Sequence, residues 1–233
     1  MIGGAALQIM LLADCDKAPA PIVANERAAT IAPVAAIARP AGPERLILAF
    51  GDSLYAGYGL SRGQSLPDAI QNRLRRDGIN ATIVNAGVSG DTSAAGRQRL
   101  AFALDNLPRA PDLVMLGLGG NDVLRQIGPA ETRANMTAMM DVLAKRDIPV
   151  VLTGMKAPPN LGPDYAGAFD AIWPDLARRY DATLYPFILD GVIDHPALLQ
   201  ADHVHPTASG IDVIATRLAP VVERRLSTIS AAD

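Results

Sequence analysis

The sequence predicts an α/β fold, a parallel β-sheet with helices on both faces. Three observations point there. From Glu44 onward, short apolar runs alternate with longer segments of helical period, and single helical crossovers make neighbouring strands parallel. The apolar runs do not alternate with polar residues, as expected of strands covered on both sides. Polar clusters sit directly after the strand runs, at the edge where open α/β sheets bind ligands.

Arg45 to Gly51 (RLILAFG) is the first strand, an apolar run closed by glycine. Ser65 to Asp77 is a helix with Ser65 as N-cap, Pro67 in the first turn, Leu66, Ile70 and Leu74 on one face, and Gly78 as the stop. Ala81 to Ala86 is the second strand, and Ser93 to Asn106 the next helix. Asp112 to Leu118 is the third strand. Pro129 to Asp147 is a helix with Met136, Met139, Met140 and Leu143 on one stripe, read as core filler. Pro149 to Gly154 is the fourth strand. Asp164 to Tyr180 is a helix that Pro174 should kink. Thr183 to Tyr185 is a short fifth strand. Thr207 to Leu226 is the last helix, with Ile211, Ile214, Leu218 and Val221 inward.

Residues 1–44 read differently. They are rich in alanine and proline, with Pro19, Pro21, Pro33, Pro40 and Pro43 spaced along a linker. Ala5 to Ala13 is an apolar run the size of a secretory core segment, although no Lys or Arg precedes it. Leu12-Ala13-Asp14-Cys15 is similar to a bacterial lipoprotein cleavage box, but Asp14 stands where a small residue is expected. The reading favoured is a disordered or cleaved leader over a lipid anchor, giving residues 45–233 as the domain and a periplasmic or secreted destination.

Composition removes several function classes. The 233 residues suffice for one sizeable core. A net charge of −3 argues against a nucleic-acid partner. Cys15 is the only cysteine, so a disulfide framework is excluded, and three histidines leave little room for a metal centre. No metal or cofactor is expected. No apolar run approaches the ~20 residues of a membrane span.

The polar clusters carry the chemistry. Gly51-Asp52-Ser53-Leu54 follows the first strand, Ser89-Gly90-Asp91-Thr92 the second, and Gly119-Gly120-Asn121-Asp122 the third. Asp202-His203-Val204-His205-Pro206 precedes the last helix. These residue types fit acyl transfer, which needs a nucleophile, a base, a group orienting the base, and donors for an oxyanion. Ser53 offers a hydroxyl, and His205 an imidazole suited to general-base work near neutrality. Asp202, three residues earlier, can share a turn with His205 and hold its Nδ1–H. The backbone N–H groups of Ser53 and Gly90 and the Asn121 amide can serve as oxyanion donors.

With those four blocks on the page, the sequence resembles the GDSL, or SGNH, hydrolase family. The markers are Ser53 in GDSL, Gly90 in NAGVSGDTS, Asn121 in LGGND and His205 in DHVHP. Within the family it is most similar to the bacterial thioesterase, lysophospholipase and arylesterase branch. The resemblance spans about residues 45–226. GDSL alone is a weak signal; four blocks in family order are a strong one. It implies a three-layer α/β/α, flavodoxin-like fold with a five-stranded parallel sheet in the order 2-1-3-4-5. It implies Ser53 as nucleophile, His205 as base, Asp202 as its partner, and Ser53, Gly90 and Asn121 as the oxyanion hole. Such an enzyme would hydrolyse a small-molecule acyl ester of short to medium chain, with aryl esters, thioesters and lysophospholipids in its expected range.

Plainer readings exist for each residue. Ser53 could cap a helix, Gly90 could be a turn glycine, and Asn121 could close an Asx turn. Asp52, Asp91 and Asp122 are read as loop braces or caps. His203 with His205 and Asp202 could be imagined on a metal, but no further ligand cluster completes a site. Asp194-His195 lacks the three-residue spacing. The arginine pairs 75/76, 178/179 and 224/225 read as solvated helix faces. An α/β-hydrolase elbow fails because Tyr55 replaces its last glycine, and a dinucleotide loop fails at Asp122.

For the substrate, Tyr55 and the neighbouring loop to Leu60, Leu124 in the loop after the third strand, and Met155, Leu161 and Tyr165 in the proline-rich segment after the fourth are the expected pocket residues. That last loop is long for a compact domain. Its apolar side chains favour an acyl chain over a sugar. A carbohydrate acetylesterase is the alternative enzyme, and a non-catalytic binding module the alternative class.

Overall fold

The computed structural model describes Met1 and residues 37–229. The expectations for the Ala5–Ala13 run and for Cys15 lie outside the described residues. Five strands form one parallel sheet: β1 (Arg45–Gly51), β2 (Ala81–Gly87), β3 (Leu113–Gly117), β4 (Val150–Thr153) and β5 (Thr183–Tyr185), in the order β2-β1-β3-β4-β5. Every residue of β3 and β4 is buried, and so is β1 beyond Arg45, which is why these runs are apolar apart from Thr153 at the end of β4. At the sheet edge, β2 is mostly half-buried, and its Thr82 and Asn85 are edge residues.

Helices cover both faces. After β1 come a single turn, α1 (Ser53–Ala56), and α2 (Leu66–Arg76). Ser65 caps α2 in a capping box: its Oγ accepts from Asp68 N and the Asp68 carboxylate accepts from Ser65 N. Such a cap contributes about 1 kcal/mol. Leu66, Ile70 and Leu74 are fully buried on the face the spacing predicts. After β2 runs α3 (Ser93–Asp105), capped by Thr92; after β3 come α4 (Gly120–Leu124) and α5 (Pro129–Ala144). The α5 methionines are core residues. The last helix, α8 (Ala208–Ser227), starts at its Thr207 cap and packs on α2, while α3 packs on α5.

Two local expectations are corrected. The single kinked helix over 164–180 is two helices, α6 (Pro163–Asp170) and α7 (Ile172–Arg179). Pro174 falls in the first turn of α7, where no intrahelical N–H is needed. Its ring crowds the carbonyl four residues back, that of Asp170, so the chain breaks just before α7 begins. In α8 the expected inward residue Val221 is partly buried against the core, and its neighbour Val222 is fully buried. Arg75 is also no solvated face residue, since it donates to the carbonyls of Ala81 and Ile37.

Because all strands are parallel, their carboxyl ends share one edge. The sheet order reverses between β1 and β3, so α1 and α4 rise side by side there. The opposite edge is tied by Asp112, which accepts from Leu46 N (2.6 Å) and Arg109 (2.8 Å), and by Arg45, which donates to the Ile229 carbonyl (3.3 Å).

Candidate active site

Ser53 is the first residue of α1, and packing beneath it fixes its position. Asp52 caps the turn, its Oδ1 accepting from Leu54 N at 3.1 Å. Tyr55, one turn position further, points down. Its ring lies across the ends of β1 and β3, and a Cβ on Gly51 or Gly117 would stand only 2.4–2.5 Å from it. The Tyr55 hydroxyl meets Thr153 Oγ1 at 2.9 Å. Glycine at the two strand ends therefore makes room for the tyrosine that seats the serine turn.

His205 stands opposite. Its Nε2 is 2.8 Å from Ser53 Oγ and its Nδ1 2.7 Å from Asp202 Oδ2. Asp202 Oδ1 also accepts the backbone N–H groups of Val204 and His205, both at 3.0 Å. Those two N–H groups, followed by the imidazole, hold the Asp202 carboxyl down to about 2. An ionised Asp202 on Nδ1 requires a proton there, leaving Nε2 to accept from the serine hydroxyl. The adjacent His203 has a left-handed backbone (φ 57°) and lines the same cavity.

The turn carrying Gly90 (φ 86°) and the start of α4 flank Ser53 on the other side. Asn121 donates through Nδ2 to the Asp91 carbonyl (2.9 Å), leaving its second amide hydrogen free. Among the described residues, neither the Ser53 nor the Gly90 backbone N–H is engaged by another group. Ser53, Gly90 and Asn121, which bear the three expected donors, all line the cavity.

Buried polar groups set the spacing of these pieces. Asp122 is fully buried and accepts from Ser93 N (2.7 Å), Ser93 Oγ (2.5 Å) and Thr132 Oγ1 (3.0 Å), locking the Asn121 turn to the start of α3. Arg99 reaches Asp91 (2.5 Å) and the carbonyls of Ala86 (2.7 Å) and Gly51 (2.8 Å), joining the Gly90 turn to the ends of β1 and β2. Asp52, Asp91 and Asp122 all act as braces or caps. Burial pushes the Asp52 carboxyl up to about 6, with Asp122 and Asp91 adding to the shift and the Leu54 N–H and His205 opposing it.

The cavity measures about 740 Å³, and apolar atoms dominate its walls. Of the expected pocket residues, Leu124 and Met155 line it. Tyr55, Leu161 and Tyr165 do not. Tyr55 is in the core, as described. Tyr165 stacks on Phe169 and donates to the Ile127 carbonyl (2.7 Å). Leu161 lies in the single turn Pro159–Leu161, partly buried against the core. Asp170 accepts from Ala157 N (2.8 Å) at the start of this loop, and Pro158 and Pro159 line the cavity instead. Tyr58, inside the loop from Tyr55 to Leu60 expected at the pocket, lines it as well; the walls missed in the sequence are Phe187, Leu189 and Ile193 after β5. Among the described residues no cluster of His, Cys, Asp and Glu could hold a metal, and no helix is long and apolar enough to cross a membrane.

Comparison with known proteins agrees with this geometry. Residues 49–213 match the model of the GDSL-like lipase/acylhydrolase family. Esterase TesA of Pseudomonas aeruginosa is 39% identical over 160 residues, covering 69% of this chain and 79% of that protein. The thioesterase 1/protease 1/lysophospholipase L1 of Escherichia coli is 33% identical over 180 residues, covering 76% and 84%. The crystal structure of AlinE4, an SGNH-hydrolase family esterase, is 53% identical with a TM-score of 0.68, covering 80% of this chain and 98% of that one. Sequence blocks, sheet order and relatives lead to one conclusion: the chain belongs to the GDSL-like lipase/acylhydrolase family and is a carboxylic ester hydrolase.

Proposed function

We propose that the protein is a serine esterase for short- to medium-chain acyl esters, working through an acyl-enzyme on Ser53. One observation carries the reading: the unbroken contact line from Asp202 through His205 to Ser53 Oγ, with spacings of 2.7 and 2.8 Å. Ser53 Oγ attacks the acyl carbonyl as its proton passes to His205 Nε2. The resulting oxyanion is received by the N–H groups of Ser53 and Gly90 and by Asn121 Nδ2. One such donor is typically worth about 3–4 kcal/mol of barrier. Collapse breaks the ester bond, and the leaving alcohol or thiol takes the proton from Nε2. Water then attacks the acyl-enzyme, giving its proton to Nε2, and the acid leaves as Ser53 regains its hydrogen.

The apolar cavity favours an alkyl chain over a sugar. The relatives' names extend the range proposed here to aryl esters, thioesters and lysophospholipids. Hydrolysis of p-nitrophenyl esters from acetyl to palmitoyl, with Ser53→Ala as the blank, tests this. A maximum at middle chain lengths that vanishes in the variant is expected. Activity confined to acetyl esters would favour a sugar deacetylase. No difference from the blank, together with no covalent labelling of Ser53 by an organophosphonate, would leave the binding-module reading.

A further inference from the structure

We infer that Tyr58 is a positioning residue for the esterase reaction, holding an aromatic face on His205 that stabilises its protonated form, and that Gln200 keeps it there. The inference rests on the reading of His205 as the general base. The two ring centroids are 4.5 Å apart, tilted by 39°. An imidazolium that close to an aromatic face is attracted by the ring's quadrupole. On the alkaline side of the rising limb the charge forms on His205 only when it has taken the serine proton, so there the attraction acts on the transition state and not on the resting enzyme; at lower pH the same attraction favours the protonated resting histidine.

The placement is built from both sides. Tyr58 N donates to the Ser53 carbonyl at 3.2 Å, behind a left-handed Gly57. The Tyr58 carbonyl accepts from Gln200 Nε2 at 2.8 Å, and the same nitrogen donates to Pro206 O at 2.9 Å. Gln200 N donates in turn to the His205 carbonyl at 2.7 Å. One side chain therefore ties the tyrosine loop to the histidine loop. Gly59 (φ 70°) permits the tie, since a Cβ there would stand 2.1 Å from Gln200 Oε1. Tyr58 is half-exposed, so its ring is not required for the core.

Other charged groups also face His205. Asp202 sits on Nδ1, Asp52 lies beneath in the serine turn, and His203 and Lys156 share the cavity wall. All are common to wild type and variants, so a difference between their pH profiles reports the tyrosine.

The test is the pH profile of kcat/KM and kcat on a soluble p-nitrophenyl ester for wild type, Tyr58→Leu and Tyr58→Phe. Tyr58→Leu keeps apolar bulk and loses the quadrupole. The apparent pKa of the rising limb should fall by about half a unit, with kcat on the alkaline plateau down about two- to fivefold. Tyr58→Phe should restore both. Gln200→Ala should shift the limb in the same direction with Tyr58 intact. A Tyr58→Leu enzyme with raised KM and an unmoved limb would make Tyr58 a wall residue and overturn the inference. An unmoved limb in Gln200→Ala would remove Gln200 from it. If wild type shows no rising limb between pH 5 and 8, the general-base reading itself fails, which is a distinct result.

Discussion

Asp202 grips His205 at two places at once. One carboxylate oxygen meets the imidazole Nδ1 (2.7 Å) and the other takes the residue's own backbone N–H (3.0 Å). The side chain that orients the ring thus also fixes the peptide bearing it.

Asp202→Asn separates those two duties. The asparagine carbonyl can still accept from Val204 and His205, so the loop should hold. Its NH2 group would then face Nδ1 and favour the tautomer with the proton on Nε2, which cannot accept from Ser53. Activity should fall by about 10³- to 10⁴-fold with Tm little changed. A loss under tenfold in kcat would show that the carboxylate is dispensable. Because Asp202 is held down to about 2, it stays ionised from pH 4 upward and adds no limb to the rate profile in that range.

Asp52 should make stability fall as pH rises. Its folded pKa of about 6 lies above the unfolded value of 3.8, so the folded state holds the proton more tightly. Between those values stability is lost with increasing pH, and above 6 the loss is complete, roughly 3 kcal/mol. Asp52→Asn cannot ionise and keeps an acceptor for Leu54. By urea unfolding it should exceed wild type at pH 7.5, with the advantage gone below pH 4. An advantage independent of pH would contradict the burial effect.

Asp122→Ala should be severely destabilising. It strands the Ser93 and Thr132 donors in the core, costing about 3 kcal/mol or more. Asp122→Asn should cost less, because one oxygen remains. Equal urea midpoints for Asp122→Ala and wild type would refute the bracing role.

Gly117→Ala tests the seat of the serine turn. The added methyl would stand 2.3 Å from Thr153 Oγ1 and 2.5 Å from the Tyr55 ring. Overpacking of this kind costs about 1–3 kcal/mol, and displacing Tyr55 should move Ser53 and lower kcat more than it raises KM. An enzyme with wild-type Tm and kcat would mean that the ring has room to move.

The sheet and its helices were readable because their signals are local. Ser65 followed by Pro67, with Gly78 as the stop, announces α2, and the uniform apolarity of β3 announces a covered strand. The convergence of Ser53, Gly90, Asn121 and His205 was readable because each follows a strand end or precedes a helix, and parallel topology brings those ends together. The pocket walls were readable only in part: Leu124 and Met155 line the cavity as expected, and Tyr55, Leu161 and Tyr165 do not. Whether Tyr55 faces a ligand or the core depends on two glycines and Thr153, the farthest 98 residues away in the chain. Leu161 and Tyr165 turn away in a loop where Asp170 accepts from Ala157 N, a contact with no periodic trace. The partnership of Gln200 with Tyr58 spans 142 residues and carries no motif.

The contact of Arg45 with the Ile229 carbonyl has a practical side. It brings the start of β1 and the last described residue together behind the sheet. The seven residues of β1 then separate them from the Ser53 turn by roughly 23 Å. A bead, a fused domain or a surface linker attached at either end would stand on the far side from the cavity mouth. Attachment beside Arg45 or beside Ile229 therefore leaves the substrate entrance facing outward.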